Sequence, residues 1–287
     1  MMLQKKYICG IFGFPIRHTA SPAMHHAAFQ YLKMDGVYLA FQILPDDLKK
    51  AIEALRALHL NGVNVTIPYK EKVCHWLDEL SPEAAQVGAV NTIKNEDGRL
   101  IGFNTDVQGF KKALEEGWGR SLKNARLLVI GAGGAARAVA VQGALSRVRS
   151  ISILNRSEIR LKILIRHLKV HFPEIEVTGC VLGSTESRTE IGAADCVVNA
   201  TSLGMAKDDP MPISPNWLDP RTYVYDLIYN PSETTWIREA IARGCRASGG
   251  MNMLLYQGAL SFQIWTGRRA PIEVMRKALK NSLKFKV

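Results

Sequence analysis

A glycine-rich turn near the middle of the chain has the residue types and spacing to hold a phosphate group. Gly131, Gly133 and Ala136 fit the pattern Gly-x-Gly-x-x-Gly/Ala. The first glycine makes a tight turn, the second lets the backbone approach a pyrophosphate, and the small third residue packs helix on strand. Amides at the start of the helix then face the anion. The pattern predicts a dinucleotide site, although glycine turns also join strands to helices for structural reasons alone. The predicted contacts of the turn are Gly131, Ala132, Gly133, Gly134 and Ala135.

The segments around this turn are those that a dinucleotide site requires. Residues 127–130 form an apolar run, typical of a strand that is buried on both faces. Residues 135–145 are helix-forming, and residues 150–154 predict a second strand. Strand, turn, helix and strand therefore follow one another in the order of a Rossmann-like βαβ unit.

The residues after the second strand indicate which dinucleotide is bound. An NAD site usually has an acidic residue at this strand tip, whereas an NADP site offers arginine to the 2′-phosphate. Here the tip reads Asn155-Arg156-Ser157, and Glu158 comes only after it. Arg156 can stack on the adenine and bind the phosphate, Ser157 can donate from its hydroxyl and amide, and Arg160 faces the same way. We predict NADP, with Asn155, Arg156, Ser157 and Arg160 as contacts; a basic helix start on a basic protein is the simpler alternative.

Composition limits the class of protein. A chain of 287 residues with 47% hydrophobic and 22% charged residues is long enough for two soluble domains. The net charge of +11 comes from scattered residues without interleaved aromatics, so we expect anionic small molecules rather than nucleic acid. The five cysteines and seven histidines show no metal-ligand spacing. We predict a cytoplasmic protein with reduced, mostly buried thiols, and with no signal peptide, membrane span or metal.

Polar residues stand at three places where strands of the first half should end. Residues 64–70 carry Asn, Thr and Lys, Asn91 follows an apolar pair, and residues 104–106 read Asn-Thr-Asp. In open α/β sheets, ligands bind beyond the carboxyl ends of the strands. Taken singly, each could be turn or capping chemistry, and Asp106 is a good helix N-cap. Taken together, they predict a binding site.

These stretches, in this order, resemble the shikimate dehydrogenase family over essentially the whole chain. The resemblance implies an α/β protein of two domains with a cleft between them. An N-terminal α/β substrate-binding and catalytic domain would comprise residues 1–106 and 253–287, and a Rossmann-like NADP-binding domain residues 107–252. Monomer and homodimer both stay open. The matching stretches are residues 13–22, 64–70, 88–92, 104–106, 131–136, 155–157, 199–205, 226–231 and 253–258.

The resemblance also implies roles for individual residues. Residues 199–205 would lie against the nicotinamide, although a loop packed on its own domain is the alternative. Ser21, which precedes Pro22, is also predicted to be the N-cap of a helix, a role that competes with substrate binding. Tyr229 is as consistent with a core position as with the cleft. Further cofactor contacts would be Thr201, Ser202, Leu227, Gly250 and Met253. The substrate would be bound by Thr19, Ser21, Thr66, Lys70, Asn91, Asp106, Tyr229 and Gln257.

The implied reaction is the NADPH-dependent reduction of 3-dehydroshikimate to shikimate, in aromatic amino-acid biosynthesis. The cofactor supplies the hydride, and the protein must position the ketone and handle the proton. Lys70 with Asp106 beside it is the implied catalytic pair. A neighbouring carboxylate favours the charged ammonium, which suits protonation of the alkoxide. For oxidation Lys70 must first lose a proton, so we expect faster oxidation at alkaline pH.

Three alternatives stay open at this point. The nearest is a quinate/shikimate dehydrogenase of broader substrate and NAD/NADP use. Thr19 bears on it, since the family usually has serine there and the added methyl narrows the carboxylate site. The second is a methylenetetrahydrofolate dehydrogenase, a class that Thr19, Ser21 and Gln257 fit poorly. The third is a non-catalytic NADPH-binding regulator. The presence of both Lys70 and Asp106 argues against it, because a regulator could lose either residue and still bind the cofactor. A second departure, Val107 in place of the usual glycine, concerns the start of a helix.

Overall fold

The computed structural model describes residues 6–16 and 19–284. Arg17 and His18, which belong to the matching stretch 13–22, lie outside these residues. Phe110–Met253 forms one compact unit, which we call the central unit. The described residues before and after it form a second, which we call the terminal unit. The chain passes from the terminal unit to the central unit within one helix and returns within another. The terminal unit is therefore built from both ends of the chain.

The terminal unit contains a mixed six-stranded sheet in the order β2-β1-β3-β5-β6-β4. Strands β1, β2 and β3 are parallel, and β5 runs antiparallel to both of its neighbours. A hairpin around residues 95–98 joins β5 and β6. The elements are β1 Tyr7–Gly13, α1 Ser21–Tyr31, β2 Gly36–Gln42, α2 Leu48–Ala57, β3 Gly62–Val65, β4 Glu79–Leu80, α3 Pro82–Val87, β5 Thr92–Glu96, β6 Arg99–Phe103 and the start of α4 Asp106–Trp118.

The central unit has a sheet of six parallel strands in the order β12-β11-β10-β7-β8-β9. The order reverses between β7 and β10, which is the doubly wound arrangement of dinucleotide-binding domains. The predicted Rossmann-like fold is therefore confirmed. The elements are β7 Arg126–Ile130, α5 Gly134–Leu145, β8 Ser150–Asn155, α6 Glu158–His171, β9 Glu176–Val181, α7 Thr185–Ala193, β10 Cys196–Asn199, β11 Tyr223–Asp226, α8 Thr235–Ala242 and β12 Arg246–Ser248.

Two C-terminal helices complete the terminal unit, α9 Met251–Thr266 and α10 Ile272–Lys284. Helix α10 packs on α1, and the α9 residue Trp265 donates from its indole N–H to the main-chain oxygen of Ile93 on β5. One side of the sheet buries a core that includes Phe12, Leu55 and Val63. Burial of such side chains from water stabilises the unit, at roughly 25 cal/mol per Å² of apolar surface.

The prediction that Ser21 caps α1 is wrong. The N-cap is Ala20, and Ser21 is the first residue of the helix. The Ser21 amide is instead bonded to the hydroxyl of Thr19, two residues before it (3.3 Å). A threonine hydroxyl can accept a hydrogen bond from the backbone N–H two residues further on. The hydroxyl that accepts at the start of this helix is therefore that of Thr19, two residues before the predicted Ser21.

The five cysteines are free thiols, and Cys9, Cys196 and Cys245 are buried. Within residues 6–16 and 19–284, no helix is long and apolar enough to cross a membrane.

Candidate functional site

The end of β3 and the start of α4 bring a lysine and an aspartate together in the terminal unit. Lys70 Nζ lies 2.6 Å from Asp106 Oδ2, with 15% of the lysine side chain and 6% of the aspartate side chain exposed. Lys70 lies in a turn shortly after β3, and Asp106 is the first residue of α4. A strongly desolvated ion pair is costly unless its remaining lone pairs are satisfied, so the neighbours of Asp106 decide what the pair can do.

Asn91 satisfies the other oxygen of Asp106. Its Nδ2 donates to Asp106 Oδ1 over 2.9 Å, and its Oδ1 accepts from the Thr105 backbone N–H over 2.7 Å. A backbone N–H can only donate, so the amide orientation is fixed and Nδ2 must face the carboxylate. Asp106 therefore accepts a hydrogen bond on each oxygen, one from Lys70 and one from Asn91.

Gln257 of α9 extends this group. Its Oε1 lies 3.3 Å from Asn91 Nδ2, and its Nε2 donates to the Leu254 carbonyl over 2.8 Å. Gly109 on α4 allows the approach, because a Cβ at that position would lie 2.9 Å from the Gln257 backbone nitrogen. Lys70, Asp106, Asn91 and Gln257, four of the predicted substrate residues, thus form one hydrogen-bonded group.

The other predicted substrate residues of this unit lie on different elements. Thr19 and Ser21 stand at the start of α1, where Ser21 is 2% exposed. Thr66 follows β3, and its methyl group packs over Gly13, where a Cβ would lie 2.5 Å from it. Within the described part of the chain, neither Ser21 nor Thr66 is hydrogen-bonded to the Lys70 group.

Sequence reasoning did not identify two further polar residues beside this group. Thr92 and Ser261 are both fully buried, and their hydroxyl oxygens are 2.8 Å apart. A signal was available for Ser261, which is a polar residue one turn after Gln257 in an otherwise apolar stretch of α9.

In the central unit, the glycine turn lies where the strand order reverses. Gly131 follows β7 with φ +118°, a left-handed conformation that favours glycine, and a Cβ there would lie 3.0 Å from the Ala200 carbonyl oxygen. Gly133 is the N-cap of α5. In doubly wound sheets this switch point is where dinucleotides bind, with the pyrophosphate at the helix start.

An arginine of α6 reaches the glycine turn. For a Cβ added to Gly133, the nearest atom would be Arg160 Nη2, at 4.0 Å. Ser157 caps α6 by accepting from the Arg160 amide over 3.5 Å, and Asn155 Nδ2 donates to the Ser157 carbonyl over 2.9 Å. Arg156 is exposed beside them. The guanidinium of Arg160 is thus the side-chain group that lies nearest to the Gly133 backbone, at the start of α5.

A buried carboxylate organises the loops after β10 and β11. Asp226 Oδ1 accepts from Asn199 Nδ2 (3.0 Å) and the Ile228 amide (3.1 Å), and Oδ2 accepts from the Thr234 hydroxyl (2.8 Å). Asn199 Oδ1 in turn accepts from the hydroxyl of Thr201 over 2.7 Å. Burial raises the pKa of Asp226 to about 6, and these hydrogen bonds to the charged form limit the rise.

The remaining predicted cofactor residues lie in these same loops and just beyond them. Ser202 is exposed, Leu227 and Tyr229 are half-buried, and Met253 is 7% exposed. Gly250 lies close to the loop after β11, since a Cβ there would be only 2.1 Å from the Leu227 carbonyl oxygen. Among the described residues, no group of three or more His, Cys, Asp or Glu side chains could hold a metal ion.

Two family models match the chain. Residues 11–93 match a shikimate dehydrogenase substrate binding domain, and residues 250–280 match a shikimate 5′-dehydrogenase C-terminal domain. A curated relative, the shikimate dehydrogenase (NADP(+)) of Desulforamulus reducens, is 45% identical over 96% of this chain and 95% of its own.

Two solved structures are similar over nearly the whole chain. The shikimate 5-dehydrogenase of Thermus thermophilus in complex with NADP(H) and shikimate has a TM-score of 0.85 and 35% identity, covering 96% of this chain and all of its own. The quinate dehydrogenase of Corynebacterium glutamicum in complex with NAD has a TM-score of 0.88 and 31% identity, covering 96% of this chain and 99% of its own.

Proposed function

Because the chain belongs to the shikimate dehydrogenase family, we propose that it catalyses the reversible, NADPH-dependent reduction of 3-dehydroshikimate to shikimate. This reaction is a step of aromatic amino-acid biosynthesis. The observation that carries the proposal is the hydrogen-bonded group of Lys70, Asp106, Asn91 and Gln257. We assign substrate binding and catalysis to residues 1–106 and 253–287, and dinucleotide binding to residues 107–252.

The group has the chemistry that a polyhydroxylated ring needs. Asn91 and Gln257 offer amide donors and acceptors, and Asp106 offers acceptors, to the ring hydroxyls. Thr66, which directly follows β3, is a further proposed partner. Thr19 and Ser21 are the proposed partners of the substrate carboxylate, and Tyr229 is the proposed partner of the ring. A site that hydrogen-bonds its substrate discriminates strongly, since an analogue without the partner leaves a buried polar group unpaired.

Lys70 is the proposed proton donor. Its ammonium lies 2.6 Å from Asp106, which holds it in one place and balances its charge in a mostly buried setting. In reduction, Lys70 donates a proton to the oxygen that becomes the alcohol, after the ketone carbon has accepted a hydride. In oxidation, Lys70 must be deprotonated before it can accept that proton, so the rate of oxidation should increase with pH.

The central unit fits NADP. Bound NADPH supplies the hydride. Residues 131–135 of the glycine turn are the proposed pyrophosphate contacts, and Gly133 leaves room for the approach of an anion. Asn155, Arg156, Ser157 and Arg160 are the proposed contacts of the 2′-phosphate and adenine. Thr201, Ser202, Leu227, Gly250 and Met253 are assigned to the nicotinamide end.

The test is the initial rate of NADP reduction with shikimate, for the wild-type protein and for Lys70→Ala. We expect kcat to decrease by a factor of about 10² to 10⁴ in the variant, the usual contribution of a positioned acid or base. NADPH affinity, followed by the quenching of intrinsic fluorescence, should be unchanged. Exposed Lys111 on α4 provides the control, because Lys111→Ala removes a charge of the same sign outside the group.

Parallel assays with quinate and with NAD separate the alternatives. Comparable turnover of quinate would assign the broader quinate/shikimate activity, for which Thr19 in the carboxylate turn is the residue of interest. Tight NADPH binding without turnover of either acid would point to a regulator instead. A flat rate of the chemical step between neutral and alkaline pH would argue against Lys70 as the base in oxidation.

A further inference from the structure

A buried hydroxyl on α9 connects the elements that carry the proposed substrate residues. Ser261 is fully buried and lies one helical turn after Gln257, on the same face of α9. Its Oγ lies 2.9 Å from Asn64 Nδ2, 2.8 Å from Thr92 Oγ1 and 3.2 Å from Thr105 Oγ1. These partners come from β3, from β5 and from the residue before α4. One oxygen atom therefore joins four separate segments.

The donors around this oxygen have a fixed direction. Asn64 Nδ2 faces the main-chain oxygen of Asn91 at 3.1 Å, and Asn64 Oδ1 accepts from the Tyr38 hydroxyl over 2.7 Å. A carbonyl oxygen can only accept, so the amide of Asn64 cannot be reversed, and its Nδ2 is the donor toward Ser261. The Ser261 hydroxyl can donate a hydrogen bond to the Gln257 carbonyl oxygen, 2.9 Å away.

We infer that Ser261 is a positioning residue for substrate binding, because its hydroxyl fixes α9 to Asn64, Thr92 and Thr105 and so holds Gln257 against Asn91. The inference rests on the proposed function, which gives Asn91 and Gln257 their roles at the substrate.

Two features make the hydroxyl decisive for the position of Gln257. The contact between Gln257 Oε1 and Asn91 Nδ2 is already long, at 3.3 Å, so a small displacement of α9 breaks it. Two other close contacts of this turn involve no hydrogen bond. A Cβ at Gly109 would lie 2.9 Å from the Gln257 backbone nitrogen, and one at Gly258 would lie 2.2 Å from Met24 Cε. Apolar packing is not directional and does not set a helix rotation by itself. The hydrogen bonds of Ser261 supply that direction.

The experiment compares Ser261→Ala with Ser261→Cys in the full chain. Cysteine nearly preserves the volume of serine but is a weak hydrogen-bonding group, whereas alanine removes both. We expect both variants to raise the KM for shikimate by about 2- to 10-fold, the net effect of one hydrogen bond. The KM for NADP and kcat should stay within about twofold of the wild type, since the hydroxyl acts on the substrate residues alone.

Thr222→Val is the matched control. Thr222 is 2% exposed in the central unit and donates to the Ala194 carbonyl over 2.9 Å, so the variant also loses a buried hydroxyl. It should lower the melting temperature without changing the KM for shikimate.

Two results for Ser261 would overturn the inference. An unchanged KM for shikimate in both variants, with a loss of melting temperature like that of the control, would leave Ser261 with a structural role only. A rise in the alanine variant but not in the cysteine variant would assign the effect to lost volume. Gln257→Ala separates the two levels of the proposal. If it leaves the KM for shikimate unchanged, the proposed role of Gln257 fails and the inference with it, whereas a failure of Ser261 alone leaves the site intact.

Discussion

His25 is a fully buried histidine in the terminal unit, with its ring stacked 4.1 Å from that of Tyr38. Neither of its ring nitrogens has a hydrogen-bond partner among the described residues. Burial, together with the charge of neighbouring His26, lowers the pKa of His25 to about 3. The imidazole is therefore neutral in the folded protein well below neutral pH, and it acts as an aromatic core residue.

This burial predicts a loss of stability in acid. Below its usual pKa of about 6.5, His25 binds a proton in the unfolded chain but not in the folded one, so stability decreases as the pH falls from that value toward 3. The loss at pH 4 should be about 3 kcal/mol. His25→Phe keeps the stacked ring and removes the titrating group. Urea unfolding at pH 7 and pH 4 should show a smaller acid loss in the variant.

Exposed His75 provides the control, because His75→Gln also removes a histidine, but one that lies at the surface rather than in the core. Its stability should follow that of the wild type at both values of pH. An equal acid loss in His25→Phe and the wild type would show that His25 becomes charged without unfolding the unit.

At the scale of residues, sequence reasoning succeeded where a polar residue follows a strand. Lys70, Asn91 and Asp106 stand after or between apolar segments, and strand topology brings such positions together. Ser261 and His25 were not found, because both lie on helices among apolar residues. The polar position of Ser261 in α9 was a local signal, but its partners are set by packing between segments far apart in the chain. The capping role given to Ser21 failed for a related reason, since Thr19 competes for the same turn.

At the scale of elements, we propose that the start of α6 decides which dinucleotide is preferred. Arg160 points its guanidinium toward the glycine turn, and it is one of the proposed contacts of the 2′-phosphate. Arg160→Ala should raise the KM for NADP by about tenfold, as expected for one hydrogen bond between charged groups in a partly exposed place. The KM for NAD, which lacks the phosphate, should change by less than twofold.

Arg166 lies exposed on the same helix and gives the matched control, since Arg166→Ala removes the same charge about one and a half turns further on. A parallel rise in the KM for both cofactors in Arg160→Ala would show that the arginine holds α6 in place rather than binding the phosphate.

The elements themselves were largely predictable, for a physical reason that differs between the two units. In the central unit, every strand is parallel, and β7, β10 and β11 are almost wholly buried, so their apolar runs stand out in the sequence. The glycine turn marks the end of β7. In the terminal unit, strand β4 has only two residues and pairs with β6, a contact that no local pattern announces.

At the scale of the whole molecule, the net charge of +11 should influence how anionic ligands bind. A positive field raises the local concentration of anions, and salt screens it with a Debye length of about 10 Å at 0.1 M. NADP carries more negative charge than shikimate. We therefore expect the KM for NADP to increase more steeply with potassium chloride than the KM for shikimate, measured at constant pH. Equal slopes would mean that the charge acts only through contacts close to each ligand.

The path of the chain between the two units has a consequence for synthesis on the ribosome. All residues of the central unit, Phe110–Met253, are made as one uninterrupted stretch. Gln257, Ser261 and Trp265 of the terminal unit are synthesised only afterwards. Their partners on and beside β3 and β5 therefore lack these contacts until the whole central unit has been made. A nascent chain halted after Met253 would thus hold every proposed nucleotide contact and lack the last side chain of the substrate group. The proposed nucleotide contacts are therefore all synthesised before the proposed substrate group is complete, although the chain begins with residues of the terminal unit.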